Sequence, residues 1–140
     1  MSQETANKAI LKEAYRQWHE SKGGSVDVWM DCMADHIRFS SLANGTKGAE
    51  FTAPVQSKSD LKTYFEGLQN DFEMIHYTVD RFIAEGDSVV AIGSTSWRSK
   101  KTGKVVESPK CDVVRFENGK IVAFSEFYDT AMMIDAVSGE

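Results

Sequence analysis

What this sequence has little of narrows its chemistry. It carries two cysteines in 140 residues, Cys32 and Cys111, far apart in the chain. A disulfide scaffold of the small secreted kind is therefore excluded, and the two are read as reduced thiols of a cytoplasmic protein. Its start, MSQETANKAILKEAYRQW, has no basic stretch leading into an apolar block, so no secretory signal is read there. No apolar run approaches the ~18 residues of a membrane span. The longest basic run is Lys100-Lys101 and the net charge is -5, which argues against nucleic acid and anionic membrane surfaces as partners. His19, His36 and His76 show no paired ligand spacing, which excludes a recognisable metal site. With no glycine-rich phosphate loop and no Gly-x-Ser-x-Gly elbow, no cofactor is called for.

What is present suits one soluble domain spanning residues 1–140. Hydrophobic residues make up 41%, charged residues 26% and aromatics 11%, enough to close a core with aromatic bulk to spare. From Glu4 to Ser21, Ile10, Ala14 and Trp18 share a helical stripe, and Gly23-Gly24 ends it. Ser25 precedes a short second helix in which Val26, Trp29, Met30 and Met33 share a face. Ile37 to Leu42 reads as a short strand, followed by a long loop, Ala43 to Ser57, of the kind that more often carries function. Ser59 opens a third helix with Leu61, Tyr64, Phe65, Leu68 and Phe72 on one stripe. Strands are expected over Met74–Glu85, Ser88–Arg98, Lys104–Glu117 and Lys120–Asp129, with a last helical turn within Thr130–Val137. Helices first and an antiparallel meander after them give an α+β domain.

The last two strands, CDVVRFENGKIVAFSEFYD, meet at Asn118-Gly119, a pair suited to a two-residue hairpin turn. Glu117 then faces Lys120, and unbroken pairing brings Asp112 opposite Ser125. One face becomes Asp112, Val114, Phe116, Ile121, Ala123, Ser125, Phe127 and Asp129. The other holds Val113, Arg115, Glu117, Lys120, Val122, Phe124, Glu126 and Tyr128, and its apolar end suits solvent or a second copy of the chain. Asp112 is the leading functional candidate: buried it acts as an acid or donor, whereas pairing with Lys110 would hold it as a structural ion. Asp129 lies roughly 13 Å farther along the strand. It either serves a larger pocket or caps the helix that follows.

The element order, the Glu85-Gly86-Asp87 turn before a valine-rich strand, and the end from Gly119-Lys120-Ile121 to Tyr128-Asp129 resemble the SnoaL-like branch of the nuclear transport factor 2-like superfamily, from about Ala6 to Met133. The resemblance implies a cone-shaped curved antiparallel sheet wrapped on an N-terminal helical layer, a cystatin-like α+β barrel. Beside ketosteroid isomerases, Tyr15 falls near the oxyanion-donating tyrosine and Asp112 matches its protonated companion. Their general base would fall near Ser41, which cannot take that role. Beside limonene-type epoxide hydrolases, Asp129 matches the acid, but the Arg-x-Asp pair would fall at Gly93 and Thr95.

These readings converge on a domain that binds a small apolar ligand. Asp112 and Tyr15 are its candidate catalytic residues, and Trp18, Trp29, Phe39, Ser41, Tyr64, Trp97, Phe116, Ser125 and Asp129 its candidate binding residues. The activity expected is isomerase, cyclase or dehydratase chemistry on an apolar carbonyl or hydroxyl compound without a cofactor. The alternative is a non-catalytic ligand-binding or dimerising domain. Both readings expect a homodimer through the outer sheet face.

Overall fold

The computed structural model describes residues 2–139. Helix α1, Gln3–Glu20, starts where the Ser2 hydroxyl accepts the Thr5 N–H, and ends at Lys22 and Gly23, both at positive φ. A short α2, Val26–Cys32, runs directly into β1, Met33–Ser41. A segment with one 3-10 turn, Glu50–Thr52, leads to α3, Lys58–Asp71. Ser57 caps α3 through the Asp60 N–H, two residues before the expected Ser59. Strands β2 (Phe72–Glu85), β3 (Ser88–Ser99), β4 (Val105–Glu117) and β5 (Lys120–Tyr128) follow, then α4, Thr130–Val137.

The sheet has five strands in the order β1-β5-β4-β3-β2. The α+β class and the helix-covered sheet match the expectation, and β1 adds to it by pairing parallel to β5 while every other neighbour is antiparallel. The sheet stays open, with β1 and β2 at its edges. Leu11, Tyr15 and Trp18 of α1 and Leu61, Tyr64 and Phe65 of α3 bury their stripes in one core with Trp29, Phe39, Phe116 and Phe124.

The β4–β5 register departs from the unbroken pairing that the turn predicts. Asn118 and Gly119 do adopt positive φ, and Glu117 pairs with Lys120 and Phe116 with Ile121. A bulge then intervenes: Arg115 pairs with Ala123, and Val122 is left as the extra residue. One added residue turns every later side chain over. Asp112 consequently pairs with Glu126 and Lys110 with Tyr128, so Phe124, Glu126 and Tyr128 join the inner face. Ser125 and Phe127 go to the outer face beside Val113 and Cys111. Strand β2 has two irregularities of its own, one between Met74 and His76 and one between Val79 and Arg81, the latter opposite Gly93. A Cβ at Gly93 would run into the Thr78 carbonyl oxygen, so the strand crossing needs glycine there.

Candidate functional site: a buried ion cluster at an aromatic cavity

A cavity opens between the inner sheet face and the helices, with about 80 Å³ of free volume. That accommodates on the order of half a dozen water-sized guests. Trp18, Trp29, Phe39, Tyr64 and Trp97, all expected as binding residues, line it together with Tyr15. The long loop after β1 contributes Phe51 and Thr52, and α4 contributes Met133.

The inner face built by the bulge places three ionisable groups together. Lys110 lies between two carboxyl groups, paired to Asp112 Oδ1 and, at 3.0 Å, to Glu126 Oε2. Asp112 is 1% exposed and Lys110 8%, so each needs compensation for its lost hydration. Asp112 obtains it from three donors: Lys110, the Tyr15 hydroxyl at 2.6 Å and the Tyr77 hydroxyl at 2.7 Å, both phenols reaching Oδ2. Glu126 is held in the same way, accepting the Tyr64 hydroxyl at 2.6 Å on Oε1. The Lys110 ammonium also stands 5.3 Å from the centre of the Tyr77 ring and 5.8 Å from that of Tyr128. Tyr128 bonds Ser41 at 2.5 Å.

Electrostatics follow from this packing. Burial alone would lower the Lys110 pKa, but Asp112 and then Glu126 outweigh it and hold the ammonium above its usual value. Burial first, and the carboxyl groups second, push the Tyr15, Tyr64 and Tyr77 phenols well above their ordinary range. They are donors here, not bases. Lys110, Glu126, Tyr64 and Tyr128 reach the cavity wall, whereas Asp112 stands behind Lys110, Tyr15 and Tyr77 and is not part of that wall.

Four expected binding residues lie off the cavity wall. Ser125 is turned outward by the bulge and bonds Ser40. Ser41 sits behind the Tyr128 hydroxyl, and Phe116 is core near the turn, below the bulge. Asp129 caps α4, its Oδ1 accepting the Met132 N–H at 3.0 Å. Missing from the expected set were Lys110 as a wall residue, Glu126, Tyr77 and Tyr128. The four consecutive apolar residues Ile121, Val122, Ala123 and Phe124 break strict alternation and were the available sign of a bulge. Among the described residues no group of three or more His, Cys, Asp or Glu is placed to hold a metal ion. None of their helices is long and apolar enough to cross a membrane.

The sequence profile of the SnoaL-like domain matches residues 12–124. The chain belongs to the SnoaL-like domain family. Solved structures with the same fold include an NTF2-like protein of unknown function from Burkholderia pseudomallei, 21% identical, with a TM-score of 0.79 over 99% of both chains. A presumptive SnoaL-like polyketide cyclase from Jannaschia sp. is 18% identical, with a TM-score of 0.80 over 100% of this chain and 96% of its own. TerC, co-crystallised with polyporic acid, is 13% identical, with a TM-score of 0.77 over 94% of this chain and 98% of its own. At these identities the likeness of the SnoaL-like domain to each is one of fold. No curated protein matches the chain.

Proposed function

We propose that this SnoaL-like domain is a small enzyme moving a proton on an apolar carbonyl or hydroxyl compound, by isomerisation, cyclisation or dehydration, with its own side chains as acid and base. One observation carries the reading: Lys110 and Glu126, ion-paired at 3.0 Å, stand in the wall of a cavity that is otherwise mostly aromatic. Buried charge is costly to keep, and a wall serving packing alone would be cheaper without it. Lys110 uses two of its three N–H bonds on carboxyl groups, leaving a third for an oxygen that gains negative charge. Glu126 is the candidate proton acceptor. Asp112 and Tyr15, the residues first singled out, then act one layer back: Tyr15 and Tyr77 fix Asp112, and Asp112 fixes Lys110. The Jannaschia protein described as a polyketide cyclase supports this chemistry by shared fold only.

A screen of ring ketones, enols and hydroxy ketones with the intact protein tests the proposal. Turnover of a hit should fall by roughly 10² to 10⁴ in Glu126→Gln. Unchanged turnover in that variant would remove Glu126 from the mechanism.

A binding domain without turnover is the second reading. It is favoured by the internal saturation of Asp112, whose three donors leave it nothing to do for a ligand. Under either reading we place a homodimer on the outer sheet face, where Val113 is 39% and Phe127 43% exposed, with Ile83 in the same cross-strand row as Val113. The bulge replaces the residues first assigned to that face, since Phe124 and Val122 are buried and Tyr128 faces the cavity.

A further inference from the structure

We infer that the cavity selects a one-headed neutral ligand: a ring compound with a single hydroxyl or carbonyl group, bound at Lys110 and Glu126, and no carboxylate. The inference rests on the site proposed above and specifies what it accepts.

The distribution of unspent hydrogen-bonding capacity is the first argument. Away from the ion cluster, the polar side chains of the wall are already committed within the protein. Thr52 donates to the Ala49 carbonyl and accepts the Gly45 N–H. Trp97 donates to Thr95, which in turn donates to the His76 carbonyl. Ser108 donates to the Pro109 carbonyl and accepts the Asp129 N–H. A second polar group on the ligand would be buried there without a free donor, at a cost no aromatic contact returns. At the other end, an ammonium with one N–H left and a carboxyl group with unused lone pairs stand side by side. A hydroxyl satisfies both, accepting from Lys110 and donating to Glu126. A carbonyl satisfies the first.

Charge is the second argument. Two carboxyl groups against one ammonium give the cluster a formal excess of one negative charge, and no other charged side chain lines the cavity. A ligand carboxylate reaching Lys110 would meet Glu126 and Asp112 at short range, in surroundings where water screens little. The two acids already occupy the positions that a carboxylate would need.

Calorimetric titration of the intact protein with four probes sharing one small ring decides this: cyclopentanol, cyclopentanone, cyclopentane and cyclopentanecarboxylate, at neutral pH. The expected order places cyclopentanol and cyclopentanone at least about tenfold tighter than the carboxylate, with cyclopentane weaker than cyclopentanol. In Glu126→Gln the cluster loses its formal excess, and the preference for cyclopentanol over the carboxylate should shrink by about tenfold. A carboxylate that binds wild type as tightly as cyclopentanol overturns the inference, as does cyclopentane matching cyclopentanol, an unchanged preference in a folded Glu126→Gln, or no binding of any probe at millimolar concentration. Should that variant fail to fold, the wild-type order decides alone. Absence of turnover with every compound sinks the enzymatic proposal and leaves this order standing. A reversed order leaves the turnover test of Glu126 intact.

Discussion

Lys110 carries more of the site than any other residue, because removing it leaves two buried carboxyl groups facing each other with only phenols to hold them. Breaking a buried pair by deleting one partner costs about 3–5 kcal/mol. Lys110→Met should therefore lower stability by about that much in urea titrations, whereas Lys62→Met, on an exposed face of α3, should change it by less than about 0.5 kcal/mol. Tyr15→Phe removes one of three donors to Asp112 and leaves the ring stacked on Tyr77, with centroids 5.6 Å apart. Its cost should be that of one hydrogen bond to a charged group, about 1.5–3 kcal/mol. A Tyr15→Phe loss as large as that of Lys110→Met would mean that the phenol, not the ammonium, anchors Asp112.

Strands and their irregularities decide which side chains the cavity receives. Much of this was legible in the sequence: helical stripes set α1 and α3, and Asn118-Gly119 set the last hairpin and its first pairs. The aromatic candidates for the wall came from the excess of aromatic residues over what a small core needs, and the pairing of Tyr15 with Asp112 came from the resemblance to ketosteroid isomerases rather than from periodicity. The far half of the hairpin was not legible from the turn, because a register carried outward assumes equal numbers of residues on both strands and Val122 breaks that equality. The β5 residues beyond it were consequently read inside out, and Glu126 was assigned to the outer face, while Asp112 and Val114 of β4 were placed on the inner face where they lie. The pairing of β1 with β5 was equally hidden, since alternation within β1 says nothing about a partner more than eighty residues away. Gly93 carries a related prediction: at the β2 irregularity an alanine would force two strands apart against the Thr78 carbonyl. Gly93→Ala should destabilise at or above the top of the usual overpacking range, about 3 kcal/mol. Gly119→Ala acts through its positive φ alone, with open space around it, and should cost only about 1 kcal/mol. Denaturant unfolding of the pair separates a packing constraint from a turn constraint.

At the scale of the whole molecule, the proposed dimer and the buried cluster respond to different perturbations. Phe127→Glu puts charge on the outer face without touching the cavity, and should convert a sedimenting dimer to monomer while ligand affinity stays within about threefold. A wild-type protein that sediments as a monomer at micromolar concentration removes the dimer from this face. Alkaline pH acts on the inside instead. Lys110 and the phenols of Tyr15, Tyr64 and Tyr77 all have native pKa values above their ordinary ones, 10.5 for the lysine and 10.0 for the tyrosines. Below those ordinary values native and unfolded chains hold the same protons on these groups, so their contribution to stability is complete. Above them the unfolded chain releases protons that the native chain retains, and stability falls with rising pH until the native groups also titrate. Urea unfolding free energies should thus be level on account of these groups up to about pH 10 and decline steeply beyond it. In Tyr64→Phe and Lys110→Met the decline should be shallower, each variant having one fewer group that binds its proton more tightly when folded. An equally steep decline in both variants would show that alkaline unfolding begins elsewhere, and that the ion cluster is not what holds the cavity wall together.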